Sequence, residues 1–174
     1  MISVIFAHPY PTRSRACARL AGAIRDLPAL ELRDLYRLYP DFDIDVPGEQ
    51  AALAPASVVV WMHPVYWYTT PALLKHWFDK VLVKGWAYGP RGTALMGKRC
   101  LWVATTGGDE HAYSEAGRHH HPFGAYAPVV EQTARYCGME WLEPFVVHGA
   151  HVIDEAALDA RAAQLRKRLG ELAR

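Results

Sequence analysis

The residues best equipped for chemistry lie in three short segments, each closing an apolar run: His8-Pro9-Tyr10-Pro11-Thr12-Arg13-Ser14, His63-Pro64-Val65-Tyr66-Trp67-Tyr68 and Thr105-Thr106-Gly107-Gly108. The first is polar and immediately precedes a helical pattern, whose opening N–H groups and dipole attract an anion. Backbone amides from Ser14 through Arg15, Ala16 and Cys17, the Ser14 hydroxyl, His8 and the nearby arginines therefore suit a terminal phosphate. Ser14 equally suits a plain helix N-cap. In the second segment Val65, Tyr66, Trp67 and Tyr68 offer flat side chains that match the face and edge of a tricyclic ring, although aromatics there also serve core or subunit contacts. In the third, Thr105 and Thr106 lead into Gly107 and Gly108, where backbone N–H groups can approach a ligand with no Cβ in the way.

Other chemistries find less support. No G-x-G-x-x-G or Walker-type lysine loop follows the first apolar run, which argues against dinucleotide and ATP folds. His119, His120 and His121 are adjacent, and adjacent histidines seldom point at one ion, so no metal site is expected. Cys17, Cys100 and Cys137 form no C-x-x-C pair, and Cys17 is expected to be packed and inert. With 19 basic and 18 acidic side chains the formal charge is +1, and nothing electrostatic points to nucleic acid. The 174 residues, 51% hydrophobic and 21% charged, suit one domain over residues 1–174. No signal-peptide pattern opens the chain and no apolar stretch reaches bilayer length, so a soluble cytoplasmic protein is expected.

The positioning elements follow from periodicity. Short apolar runs at 2–7, 57–62, 100–104 and 141–147 read as buried strands, and 30–35 alternates with period two as an edge strand would. Between them lie helical stripes: Ala16, Leu20, Ile24 and Leu27 after Ser14; Leu73, Leu74, Trp77, Phe78, Val81 and Leu82 after Thr70 as cap and Pro71; Val129, Val130, Thr133, Ala134 and Cys137 before Gly138. Asp154 caps a last helix burying Leu158, Ala162, Leu165, Leu169 and Leu172. Residues 36–47 read as irregular, leading to a short helix at 49–53, and 85–98 as a long loop. Five strands alternating with helices imply an α/β, flavodoxin-like, five-stranded parallel sheet of order 2-1-3-4-5 with helices on both faces. That order brings the loops after strands 1, 3 and 4 to the switch point, where such folds bind flavin mononucleotide, FMN. The amides at Gly107 and Gly108 would then meet the pyrimidine edge of the flavin.

Taken together, Ala7-His8-Pro9-Tyr10-Pro11, Leu38-Tyr39-Pro40-Asp41-Phe42, His63-Pro64 through Pro71, Gly85-Trp86-Ala87-Tyr88-Gly89, Gly92-Thr93-Ala94-Leu95 and Thr105 through Gly108 carry a family likeness over nearly the whole chain. The chain resembles the flavodoxin-like NAD(P)H:quinone oxidoreductases, in particular the branch of ancillary subunits of glutathione-gated, Kef-type potassium-efflux systems. The resemblance implies one FMN per subunit on the residues named above, a homodimer, and ping-pong hydride transfer from NADH or NADPH through flavin N5 to a quinone. It also implies a transporter partner at the cytoplasmic face of the inner membrane; a mainly regulatory, non-catalytic subunit is the alternative. Animal quinone reductases of this superfamily carry a Tyr and a His after the Gly-Gly pair, and the spacing here aligns Tyr113 and His119 with them. A phenol and an imidazole there can move the proton that accompanies hydride transfer.

Overall fold

The computed structural model describes residues 1–174, the side chain of Pro11 excepted. Its centre is a parallel sheet of β1 (Ile2–Phe6), β2 (Leu30–Asp34), β3 (Val58–Pro64), β4 (Arg99–Thr105), β5 (Glu140–Trp141) and β6 (Phe145–Val147). The order is β2-β1-β3-β4, with β5 and β6 both pairing β4 on its far side. This is the flavodoxin-like order expected. Six helices flank the sheet: α1 (Ala16–Ile24), α2 (Leu35–Leu38), α3 (Val46–Leu53), α4 (Ala72–Val81), α5 (Ala127–Tyr136) and α6 (Glu155–Leu172).

Successive strand residues point to opposite faces, and the sequence fills both faces with apolar side chains. Val4, Phe6, Val60, Met62, Leu101 and Val103 pack against α1 and α6; Ile5, Val59, Trp61, Cys100 and Trp102 pack on the other side, with Trp77 and Phe78 of α4 and Val130 and Ala134 of α5. Three tryptophans, Trp61, Trp77 and Trp102, are fully buried in that second layer. Each contributes roughly 4–6 kcal/mol of apolar burial before the opposing entropy is counted.

Several local expectations are corrected. The fifth strand is broken: β5 ends opposite Cys100 and β6 begins opposite Val103, so residues 142–144 face only Leu101 and Trp102. The extra residue forms a bulge at Pro144, which has no N–H for the ladder. Leu35 opens α2 instead of ending a strand, and α3 begins at Val46, with the Asp45 carboxylate accepting the Gly48 N–H. Thr70 does not cap α4; the N-cap position is Pro71, and the Thr70 hydroxyl is buried without a partner among the described residues. Arg15 takes the N-cap position of α1 expected for Ser14, yet the Ser14 hydroxyl still accepts the Ala18 N–H at 3.0 Å. On α5, Val129 is exposed instead of buried. Asp154 caps α6 as expected, accepting the Ala157 N–H. No helix among the described residues is long and apolar enough to cross a membrane.

His63, at the end of β3, is fully buried; its Nε2 accepts the Trp102 indole N–H at 2.8 Å and its Nδ1 lies 2.9 Å from the Pro64 carbonyl oxygen, to which it donates. Burial lowers its pKa from 6.5 to about 4, against the smaller opposing effect of the Pro64 carbonyl. In the unfolded chain this ring takes a proton near pH 6.5 but in the folded chain only near pH 4, so between those values the unfolded state binds more protons. Each step down in pH across that window therefore weakens the fold, by about 3 kcal/mol in total. Urea unfolding of wild type and His63→Gln from pH 7 to pH 4 checks this: the variant is expected to lack most of that slope. Parallel slopes would show that the imidazole is not the titrating group.

Candidate functional site

The carboxyl ends of the central strands are tied edge to edge by single backbone bonds: Ala7 N–H to Met62 O (3.0 Å), Val65 N–H to Thr105 O (2.8 Å) and Thr106 N–H to Val147 O (3.0 Å). Four loops thus share one rim. Two abutting cavities open along it, both lined by Val65, Gly107 and His151.

The first cavity, about 380 Å³, is enclosed by His8, Tyr10, Arg13 through Cys17, Pro64 through Tyr66, Thr105 through Gly107, Ala150 and His151. Nδ1 of His8 accepts the Tyr10 N–H at 3.1 Å, so a neutral imidazole presents an Nε2–H donor. Burial depresses the His8 pKa, outweighing the pull of Asp34, and keeps that tautomer neutral. The Ala16 and Cys17 amides, in the first turn of α1, have no protein partner among the described residues, as expected at a helix start. Cys17 itself is buried, its Sγ 3.1 Å from the Thr105 hydroxyl, and burial pushes the thiol up to about 12. Cys17 is packed in the core, as the sequence suggests.

The second cavity, about 320 Å³, is lined by Val65, Trp67, Tyr68, Gly107, Gly108, Tyr113, Arg118, His119 and His151. Its aromatic wall comes from a tight two-residue turn closed by reciprocal bonds between Tyr66 and Thr69. Trp67 and Tyr68, the central residues, stand at φ 48° and 66°, the left-handed region that side chains other than Gly, Asn and Asp rarely enter. Such conformations cost of order 1–3 kcal/mol each and gather at ligand sites. The Trp67 side chain is 90% exposed, presented outward rather than buried in the core.

Across the cavity Tyr113 stacks on His119, ring centres 4.3 Å apart, and Tyr68 meets His119 edge-on with its hydroxyl 3.4 Å from Nδ1. The other imidazole nitrogen faces Gly108: a Cβ on that glycine would stand 3.1 Å from His119 Nε2 and 3.3 Å from the Tyr113 ring. A side chain at Gly108 would thus press on the Tyr113 and His119 rings, whereas a Cβ at Gly107 would make only ordinary contact with His151. Neither amide, Gly107 or Gly108, has a protein partner among the described residues. The Gly108 carbonyl accepts both the Thr106 hydroxyl (2.7 Å) and the Gly149 N–H (2.8 Å), and Thr106 also meets His148 Nδ1 at 2.9 Å. Because the Thr106 proton goes to Gly108, His148 Nδ1–H is the donor in that contact.

All fifteen residues singled out in the sequence line one cavity or the other. One expectation changes: the Arg15 guanidinium is held by Glu155, at 3.0 and 2.7 Å, leaving Arg13 as the cleft cation without an acidic partner among the described residues. Sequence reading misses the fourth rim loop, His148-Gly149-Ala150-His151, which supplies Ala150 and His151 to the lining and braces Gly108 through Gly149. The signal was present, since these residues follow the last strand at the same sheet edge. No group of three or more His, Cys, Asp and Glu among the described residues is arranged to hold a metal ion.

Comparison with known proteins agrees with this architecture. A family profile described as a flavodoxin-like fold matches residues 1–169. The glutathione-regulated potassium-efflux system ancillary protein KefF of Enterobacter sp. (strain 638) is 48% identical over 169 residues, 97% of this chain and 95% of that one. Among solved structures, one described as a thermophilic tryptophan halogenase from Streptomycin violaceusniger superposes with a TM-score of 0.92 at 36% identity, covering 96% of this chain and 97% of the other. General stress protein 14 from Treponema denticola, in complex with FMN, gives 0.91 at 31% identity over 98% of both chains. An NADPH-quinone reductase from P. pentosaceus gives 0.87 at 26% identity, covering 97% of this chain and 96% of that one.

Proposed function

The chain belongs to the flavodoxin-like fold family, and on that premise we propose that residues 1–174 form one FMN-binding domain acting as an NAD(P)H:quinone oxidoreductase. The observation that carries the reading is the pair of abutting cavities, one rimmed by a helix start and a neutral histidine, the other by aromatic rings and two free glycine amides. The FMN complex of the Treponema protein and the quinone reductase from P. pentosaceus support it.

The residues present fit the cofactor. Ser14, Arg13, the His8 Nε2–H and the Ala16 and Cys17 amides would hold a terminal phosphate; Val65 through Tyr68 would flank the ring; the Gly107 and Gly108 amides would meet its pyrimidine edge. Thr105 and Thr106 set the spacing between the first cavity and those amides, and Arg15 anchors the helix start to Glu155. When bound, FMN supplies two-electron chemistry, taking hydride from NADH or NADPH and passing it to a quinone in alternation. Tyr113 and His119 hold a proton at the phenol oxygen and at Nε2 on the open side of the glycine pair. The Tyr68 hydroxyl lies 3.4 Å from His119 Nδ1, and in the tautomer where Tyr68 donates, the Nε2–H would face Gly108.

The likeness to KefF favours a second, compatible role: a homodimer docked on a Kef-type potassium-efflux transporter at the cytoplasmic face of the inner membrane. The redox reading is tested on purified protein loaded with FMN. One tightly bound, yellow equivalent per chain is expected, bleached by NADH or NADPH under anaerobic conditions and restored by menadione. Protein that takes up no FMN leaves the regulatory role alone.

A further inference from the structure

Arg118 is the cation on the second cavity, and the quinone-reductase reading gives it no task. It lines that cavity together with Tyr113, His119, Trp67 and Tyr68, and no carboxylate is in the lining. No acidic side chain among the described residues comes within ion-pair distance of it. Its backbone is fixed on both sides: Gly117 N–H donates to Ser114 O at 3.1 Å and to the Ser114 hydroxyl at 3.0 Å, and His119 N–H donates to Ala112 O at 3.0 Å. Gly117 is itself locked in place, because a Cβ there would run into the His111 and Ala112 carbonyl oxygens. Burial raises the Tyr113 pKa and the phenols of Tyr126 and Tyr68 raise it further, with Arg118 opposing them.

An exposed guanidinium without an acidic partner, on a segment whose backbone is fixed on both sides and in the lining of an aromatic cavity, is placed to receive an anion on a flat molecule bound there. The chain as a whole carries only +1, so general attraction does not account for such a preference. We propose that Arg118, in the lining of the cavity assigned to the flavin ring, makes the reaction selective for planar substrates that carry an anionic group, by pairing with that group while the substrate ring lies over the cofactor. The proposal rests on the quinone-reductase reading of the same site. The shared chemistry, an anion near a flat ring, has two sources: the phosphates of the nicotinamide donor, or an acidic substituent on the acceptor.

Arg118→Gln and Arg118→Lys, each loaded with FMN, separate these sources, because in a ping-pong cycle kcat/KM for each substrate reports its own half-reaction. The donor arm compares NADPH and NADH with phosphate-free 1-methyl-1,4-dihydronicotinamide; the acceptor arm compares 1,2-naphthoquinone-4-sulfonate with neutral 1,2-naphthoquinone. In the Gln variant kcat/KM is expected to fall about tenfold for the charged member of at least one arm relative to its uncharged partner. The Lys variant should recover part of the loss, and raised salt should shrink it. A second measurement needs no flavin: quenching of tryptophan fluorescence by the sulfonate in apo protein should require a higher concentration in the Gln variant than in wild type. Equal losses for charged and uncharged members, loss of FMN from the Gln variant, or identical sulfonate binding by both apo proteins would overturn the proposal. Absence of FMN binding in wild type would instead defeat the quinone-reductase reading, and the apo titration would still decide the role of Arg118.

Discussion

Turnover by protein carrying Tyr113→Phe and His119→Gln together is expected to fall by about a hundredfold or more, the usual range for removing acid–base groups, with FMN content unchanged. The two rings stack at 4.3 Å, and His119 Nε2 faces the Gly108 backbone, beside the free amides proposed to meet the cofactor. Hydride transfer moves charge without its proton, and a phenol and an imidazole are the groups best placed on that side to supply or hold one. Each single variant should lose less, because either ring can serve the other's proton. Both substitutions keep ring or chain volume close to the original, so cofactor content measured at 450 nm separates chemistry from folding. Rapid mixing with NADPH, then with menadione, tells which half-reaction slows. A double variant with wild-type rates would remove both residues from the reaction, and one lacking FMN would make them structural.

Glu49→Ala is expected to cost about 2–4 kcal/mol of stability, the usual result of leaving two buried donors without an acceptor. The Glu49 carboxylate is fully buried; one oxygen accepts Arg33 Nε and Nη2 at 3.0 and 2.6 Å and the Tyr39 hydroxyl at 2.6 Å, the other accepts the Trp77 indole N–H at 2.8 Å. One side chain of α3 thereby ties edge strand β2, the turn after α2 and helix α4. Removing it leaves a phenol and an indole without their acceptor and takes from the Arg33 guanidinium one of its two carboxylates, Glu31 remaining at 2.7 Å. Urea unfolding midpoints at pH 7 measure the loss, and Glu49→Ala combined with Arg33→Met should regain only a part of it, since Tyr39 and Trp77 still lack their acceptor. A loss below about 1 kcal/mol, the range of an exposed pair, would mean that water reaches the network.

How much of this was legible beforehand depends on the range of the interaction involved. Strand positions and topology follow from local apolar runs and from the need of parallel neighbours for helical crossovers, so β1, β3 and β4 stand where the pattern puts them. The break in the fifth strand carries a sequence signal, since Glu143 and Pro144 interrupt the apolar run and a proline has no N–H for a central ladder, but only the pairing with β4 shows how many residues are skipped. Thr70 and Ser14 both look like caps, and their neighbours in three dimensions, not their residue types, decided which hydroxyl is used. At the site, loop position was readable while partnership was not. Arg15 looked free because Glu155 lies 140 residues away in the chain. The fourth loop is not marked by the strand order, whose switch point lies at strands 1, 3 and 4, yet the chain after β6 brings Ala150 and His151 to the same rim.

The Trp67-Tyr68 turn sets a limit on how this protein can be engineered. Its two central residues sit in a backbone shape that Asn-Gly adopts without strain, so a search for heat-resistant variants would favour that replacement. Idealising the turn would remove the ring presented by Trp67 and the phenol that contacts His119. Thermal tolerance and ligand capture therefore compete at these two positions, and stabilising changes belong elsewhere in the chain.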